Sequence, residues 1–286
     1  MIDTQGRAVP SDLLRYSCLM TPEKVLLLSG VLCLVCTPLC SQETTPRERL
    51  LVAHAQYYTP TASGLKSFHC DAAIDWKAML TRLSGKEIPE DNPGLQFLRT
   101  VHLAINDELR GKGSLEWSSA AALPAGREDG INQIRDGLQT SVGGFFQSWN
   151  AYMNGSMVPL PDSSVTIDAV DAGFHLSGSS KDMKIDEDFD KNMVLNQVLV
   201  VSPTIRVMAA PTYLKTEDGL IVSEIKSKMN QPPGAPETEI TFHVDYARVD
   251  SYQVPSRIIF DVRNTGAIDL ALSNCQVSLA DWAQKH

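Results

Sequence analysis

His69, Cys70 and Asp71 stand side by side in the stretch LKSFHCDAAIDW, residues 65–76, with a further carboxylate at Asp75. A thiol beside an imidazole and a carboxylate is the inventory of nucleophilic catalysis, and the same three residue types ligate metals. The spacing argues against both uses. Phe68, Cys70, Ala72, Ile74 and Trp76 alternate with Ser67, His69, Asp71, Ala73 and Asp75, a period of two that predicts a strand with one buried face. Neighbouring side chains on a strand point to opposite faces, so His69 cannot readily reach Cys70. A buried cysteine is expected, with the histidine and the aspartates on the wet side.

The other reactive groups fare no better. Asp186, Asp188 and Asp190 recur at the spacing of the first half of a calcium loop, but Lys191 stands where that loop needs glycine and Gln197 where it needs glutamate. An acidic hairpin is the expectation. The six histidines (His54, His69, His102, His175, His243, His286) show no zinc-binding spacing. Ser-x-x-Lys occurs at Ser63 to Lys66 and again at Ser223 to Lys226, in each case without the companion motifs of serine acylases. GKGSLE, residues 111–116, lacks the glycine spacing of a phosphate loop. The sequence therefore assigns no catalytic residue, no metal and no cofactor.

Composition narrows the class. The chain has 286 residues, 43% of them hydrophobic, and a net charge of -9, enough for a substantial core and without the clustered Lys and Arg that a nucleic-acid surface needs. Residues 25–36, VLLLSGVLCLVC, form an apolar run after Lys24 and before the polar SQETTPRER. As a helix, 12 residues span about 18 Å, which fits a secretory signal better than a membrane span. Residues 1–41 are read as that signal region, with Met20 a candidate start, and 42–286 as one exported domain in the periplasm or associated with the envelope. Cys40 invites comparison with a lipidated cysteine, but Leu39 stands where a lipoprotein box has a small residue, so no lipid anchor is expected there. The remaining cysteines of the domain, Cys70 and Cys275, are expected to pair, two separate buried thiols being the alternative.

The elements that would position these side chains follow from periodicity. Thr45, Pro46 and Glu48 make a capping box for a first helix, with Leu50, Leu51, Ala55 and Tyr58 on its apolar face. Trp76, Met79, Leu80 and Leu83 predict a helix ending at Gly85. Leu95, Leu98, Val101, His102, Ile105 and Leu109 predict another, ending before Gly111, and SLEWSS a strand. The clearest helix covers 129–154, with Ile131, Ile134, Leu138, Val142, Phe145, Phe146, Trp149, Tyr152 and Met153 in one stripe and a possible bend at Gly143-Gly144. From Val165 onward short strands succeed one another, with turn signals at EDG and NTG and a long hairpin loop at NQPPGAPET. The pattern predicts an antiparallel meander.

The helix stripe would serve either as plain core or as the lining of an apolar cavity. Its large, adaptable side chains, together with Met157, Met208 and Tyr213, lean toward a cavity. ASGLKSFHCDAAIDW after the first helix, and YQVPSRIIFDVRN followed by IDLALSNCQV at the end, resemble the opening and closing strands of the periplasmic lipoprotein-carrier (Lol-type) family. The resemblance covers the two ends of about residues 45–280, while 76–125 is longer and more helical than the carrier proper. It implies an α+β fold in which a strongly curved antiparallel sheet, a half-barrel, packs around two to four helices and encloses a cavity for acyl chains. The expected function is non-covalent binding of a hydrophobic ligand such as a lipid or acyl chain. Phe68, Ile74, Trp76, Phe145, Phe146, Trp149, Met153, Met208 and Tyr213 are the cavity candidates. The competing reading is an envelope structural or interaction module with a filled core and a protein partner.

Overall fold

The computed structural model describes residues 45–154, 158, 165–180, 182–263, 266–281 and 283. The expected signal region, Met20, Cys40 and Met157 lie outside them. The described elements run α1 (Pro46–His54), β1 (Leu65–Ile74), α2 (Trp76–Ser84), α3 (Pro93–Leu98), β2 (His102–Glu108), β3 (Gly113–Ser118), α4 (Glu128–Met153), β4 (Thr166–Val170), β5 (Gly173–Ser180), β6 (Met183–Asp190), β7 (Leu195–Val201), β8 (Arg206–Thr216), β9 (Gly219–Asn230), β10 (Thr238–Val249), β11 (Tyr252–Val262) and β12 (Gly266–Leu279).

Local signals account for the ends of the first helices. In α1 the Thr45 hydroxyl accepts from the Glu48 amide, and the Glu48 carboxylate accepts from the Thr45 amide at 2.8 Å, which satisfies two otherwise orphaned donors. Leu50 and Ala53 turn inward, whereas Leu51 is 51% exposed and Ala55 is also exposed. The apolar face of α1 is thus narrower than its periodicity implied, because the helix stops at His54 and Tyr58 is buried from non-helical chain. Asp75 caps α2 by accepting from the Ala78 amide at 2.9 Å. Trp76 accordingly opens a helix and does not continue the β1 alternation.

The region 95–109 departs from the helix expected there. Only α3 is helical, and His102–Glu108 is a strand, with Leu103, Ile105 and Asp107 facing in and His102 exposed. Leu95, Leu98, Ile105 and Leu109 satisfy a helical period, while Leu103, Ile105 and Leu109 also satisfy alternation. Pairing with β1, where Cys70 faces Ile105 and Phe68 faces Asp107, decides between the two by satisfying a row of backbone donors and acceptors that a helix would leave open.

All twelve strands join in one antiparallel sheet, ordered β3-β2-β1-β12-β11-β10-β9-β8-β7-β6-β5-β4. Every neighbour pair in this order but one is consecutive in the chain. The exception, β1 with β12, closes the meander on its own beginning. There Cys70 and Cys275 form a disulfide (Sγ–Sγ 2.07 Å) at a bulge between the His69 and Asp71 pairings, where Asn274 takes φ 51°. Pro255 likewise sits at a bulge, between the Asp245 and Tyr246 pairings of β10, one of the few places in a sheet that tolerate proline. The EDG signal becomes a tight β8–β9 turn in which Gly219 has φ 121°. A Cβ there would meet the Gln56 carbonyl at 2.7 Å, because Tyr57 bridges Leu220 alongside.

The sheet stays open, with β3 and β4 as its edges, and α4 lies between those two strands in the chain. Twelve strands laid flat would span about 53 Å, and 26 helical residues reach only about 39 Å. Curling the sheet brings its edges within reach of the helix, and α4 lays its apolar stripe on the inner face. The expected bend at Gly143-Gly144 does not interrupt α4. Among the described residues no helix is long and apolar enough to cross a membrane.

Candidate ligand-binding interior

One half of the interior is a knot of aromatic rings. Phe145, Phe146 and Trp149 on α4 are fully buried. Phe68 of β1 meets Phe146 and Trp149 at 5.8 and 5.9 Å between ring centroids, and Phe242 of β10 and Phe260 of β11 both meet Phe145 at 5.6 Å. Phe145 and Phe146 themselves lie 4.9 Å apart and edge to face. Such pairs add to area burial because ring edges carry positive and faces negative partial charge. A Cβ on Gly113 of β3 would overlap the Phe146 ring, so glycine is what lets α4 approach that edge.

Polar contacts hold the same stretch of helix at several points. The Trp149 indole Nε1 donates to the Tyr246 hydroxyl at 2.8 Å, and that hydroxyl donates to the Val222 carbonyl at 2.5 Å. Asn150 Nδ2 donates to Asp107 Oδ1 at 2.9 Å, and Asn154 Nδ2 donates to the Leu109 carbonyl at 2.5 Å. Asp107 is 1% exposed, and burial pushes its carboxyl up to about 7. Asp107 Oδ2 and Asn150 Oδ1 are both buried without a partner. A proton on Asp107 converts one acceptor into a donor and lowers the cost of that arrangement.

The other half centres on Glu187. It shares the inward face of β6 with Phe189, flanked across the sheet by Leu176 and Val198, while Asp186 and Asp188 turn outward to His175 at 3.7 and 2.7 Å. Glu187 is 6% exposed, and burial alone pushes its carboxyl up to about 8. Its charge acts on three tyrosines, Tyr57, Tyr152 and Tyr213. Tyr57 is held by its hydroxyl, which accepts from the Leu195 amide at 2.8 Å and donates to the Met193 carbonyl at 3.3 Å. Its ring stands edge-on to Tyr213 of β8 at 5.3 Å, and the Tyr213 hydroxyl is buried without a hydrogen-bond partner. Tyr152 comes from α4. Burial raises all three phenols, Tyr57 to about 12, and the Glu187 charge adds to the rise in each.

The structure sorts the nine cavity candidates. Phe68, Phe145, Phe146 and Trp149 come together, and Met153 joins the same buried core. Tyr213 belongs to the tyrosine group. Trp76, at the start of α2, packs edge-on to Trp117 of β3 at 5.7 Å. Ile74 is half-buried and lines a surface groove of about 520 Å³ with Ala78, Arg82, Arg257 and Asp269. Met208 does not face the interior. Its neighbours Ala209 and Pro211 are the buried ones, and Met208 lines a shallow groove of about 320 Å³ on the opposite face with Ala210, Lys226, Lys228 and Thr241. Residues 208 and 213 differ by an odd number, so period two already assigns them to opposite faces.

Asp107, Asn150, Glu187, Tyr57 and Tyr152 were not singled out as site residues from sequence. For Glu187 a signal existed, since Ile185, Glu187 and Phe189 alternate with the outward aspartates. For Asp107 the helical reading of 95–109 concealed the alternation. Among the described residues no group of three or more His, Cys, Asp or Glu side chains is arranged to hold a metal ion. No family model, no curated protein and no solved structure matches the chain.

Proposed function

We propose that this chain is an exported envelope protein that binds a lipid or another hydrophobic ligand non-covalently, between α4 and the inner face of the curved sheet. The observation that carries the reading is that one glycine-rich helix covers the apolar concavity of an open sheet. Gly130, Gly137, Gly143 and Gly144 lie in α4, and Gly130, Gly137 and Gly144 would place a Cβ in open space. Packing does not require glycine at those positions, yet each lowers helix stability by about 1 kcal/mol relative to alanine. Arg127 at the helix start also supplies no side-chain cap. A helix of low intrinsic stability, held chiefly by its buried stripe, can yield to an acyl chain that replaces that stripe's contacts at about 0.8 kcal/mol per buried CH₂.

Organic extraction and mass spectrometry of the protein purified from its native envelope test this reading. Co-purifying lipid, and a rise in melting temperature on adding lipid, are expected. Absence of both would sink it. The second reading, an interaction module with a permanently filled core, draws support from the hydrogen bonds that tie Trp149, Asn150 and Asn154 to the sheet. It predicts neither lipid nor a ligand-dependent melting shift.

A further inference from the structure

The two edges of the sheet are finished differently. At β3 the helix α4 lies alongside: Gly113 makes room for the Phe146 ring, and the Gln139 side-chain amide donates to the Leu115 carbonyl at 3.4 Å. At β4 the devices that usually blunt an edge are missing. Thr166–Val170 holds no lysine and no proline, and its pairing with β5 carries no bulge. Val170 pairs with Gly173 across a turn of two residues. Hydrogen-bonded and non-bonded pairs alternate along an antiparallel ladder, and a pair this close to its turn can only be a bonded one. Thr166, Asp168 and Val170 therefore bond to β5, whereas Ile167 and Ala169 aim their amides and carbonyls away from the sheet. Among the described residues no partner beyond the sheet meets those groups.

The side chains along that edge select what can pair there. Asp168 lies opposite His175, and His175 opposite Asp188, in one row across the outer face. His175 bonds to Asp188 at 2.7 Å and Lys184 pairs with Asp186 at 2.8 Å, while Asp168 is exposed and has no ion pair among the described residues. An antiparallel strand added here meets Asp168 at a non-hydrogen-bonded position, where cross-strand side chains come closest and opposite charges stabilise the pair. Ile167 and Ala169 present apolar side chains on the other face. A second copy of the chain fits poorly, because two β4 strands paired about Asp168 set their carboxylates against each other between chains that each carry a net charge of -9. We propose that β4 is a docking edge at which an extended segment of a partner protein, with lysine or arginine alternating with apolar residues, adds antiparallel to the sheet. Main-chain bonds to Ile167 and Ala169 give affinity, and Asp168 with the acidic groups behind it selects basic side chains. The proposal does not depend on what the interior holds.

The test uses the full chain and fluorescein-labelled peptides of equal length in which valine alternates with lysine or with glutamate, titrated by fluorescence anisotropy. The lysine peptide is expected to bind at least about tenfold more tightly than the glutamate peptide, and to slow hydrogen exchange at the Ile167 and Ala169 amides. Ala169→Pro deletes one outward donor, a change that an edge strand tolerates. It should weaken lysine-peptide binding at least about tenfold and leave the melting temperature unchanged. Asp168→Lys should reverse the preference between the peptides, and decides alone if Ala169→Pro fails to fold. Equal affinity for the two peptides, lysine-peptide binding that survives Ala169→Pro or ignores Asp168→Lys, no binding at all, or amides at 167 and 169 already protected in the free chain would overturn the docking edge. A dimer of the free chain that Ala169→Pro dissociates would overturn the basic partner in favour of a second copy.

Discussion

The two halves of the interior are built from one helix and differ in how their polar groups are met. Around Phe145, Phe146 and Trp149 the rings pack edge to face, and the Trp149 indole and the Tyr246 hydroxyl each find an acceptor. Three residues further on, Tyr152 enters a region where Glu187 is buried and burial alone raises its carboxyl. The first half also buries a carboxyl, Asp107, but gives it the Asn150 amide as a donor. The second buries Glu187 in a setting where neutralising the acid is the least costly response. The two settings are thus separated along less than three turns of α4.

The aromatic half should carry the largest energetic effects. Phe145→Ala removes a fully buried ring, and a loss of about 3–5 kcal/mol in urea unfolding is expected. A loss below about 1 kcal/mol would mean that the ring lines an open space and would erase the contrast between the halves. Replacing both Cys70 and Cys275 by alanine should cost about 2–5 kcal/mol. The disulfide closes a separation of 205 residues across the one sheet joint whose strands are not consecutive in the chain. Calorimetry with and without reductant on the native chain would read the same change.

The acid half should reveal itself in pH dependence. Glu187 is raised from 4.5 to about 8 and Asp107 from 3.8 to about 7, each chiefly by burial. Above the unfolded-state value the unfolded chain has released a proton that the folded protein keeps, so the unfolded state binds fewer protons and stability falls as pH rises. The decline should run between about pH 4 and 8, approach at most about 1.4 kcal/mol per pH unit for each group, and level off beyond. Glu187→Gln should remove the contribution that runs from 4.5 to about 8, and Asp107→Asn the one that runs from 3.8 to about 7, so only the Glu187 variant flattens the curve between pH 7 and 8. A wild-type curve that rises through this window would break the distinction drawn for Glu187.

Smaller effects test α4 and the outer face. Gly144→Ala, at an exposed position with open space for the methyl group, should stabilise the protein by about 0.5–1 kcal/mol. If α4 must yield to admit a ligand, the same substitution should slow lipid binding in stopped-flow fluorescence. Met208→Ala, on the opposite face of the sheet from the core, should change stability by no more than about 1 kcal/mol. A loss matching that of Phe145→Ala would mean that Met208 faces the interior after all.

Much of this was legible in the chain because it is local. Alternation in 65–74 separates Phe68 and Cys70 from His69 and Asp71, and the structure keeps that separation, with His69 bonded to Asn106 at 2.7 Å and Cys70 buried. The capping box of α1, the stripe of α4 and the turn at Gly219 depend on neighbours within a few residues, where residue type and spacing suffice. The same rule applied more strictly would have moved Met208 out of the interior and Glu187 into it.

What only the tertiary structure decided is non-local. Residues 102–108 fit a helix and a strand alike until β1 offers an edge to pair with. Trp76 continues an alternation until Asp75 finds the Ala78 amide and starts a helix. The stripe on α4 could line a cavity or fill one, and Phe242 and Phe260, about a hundred residues further along the chain, determine that it meets rings on the sheet. The meeting of Tyr57 with Tyr213 has no signature in spacing, since the two rings come from distant parts of the chain. Periodicity reports which way a side chain points, whereas what it meets there depends on the curl of the sheet and on which distant strand lies opposite.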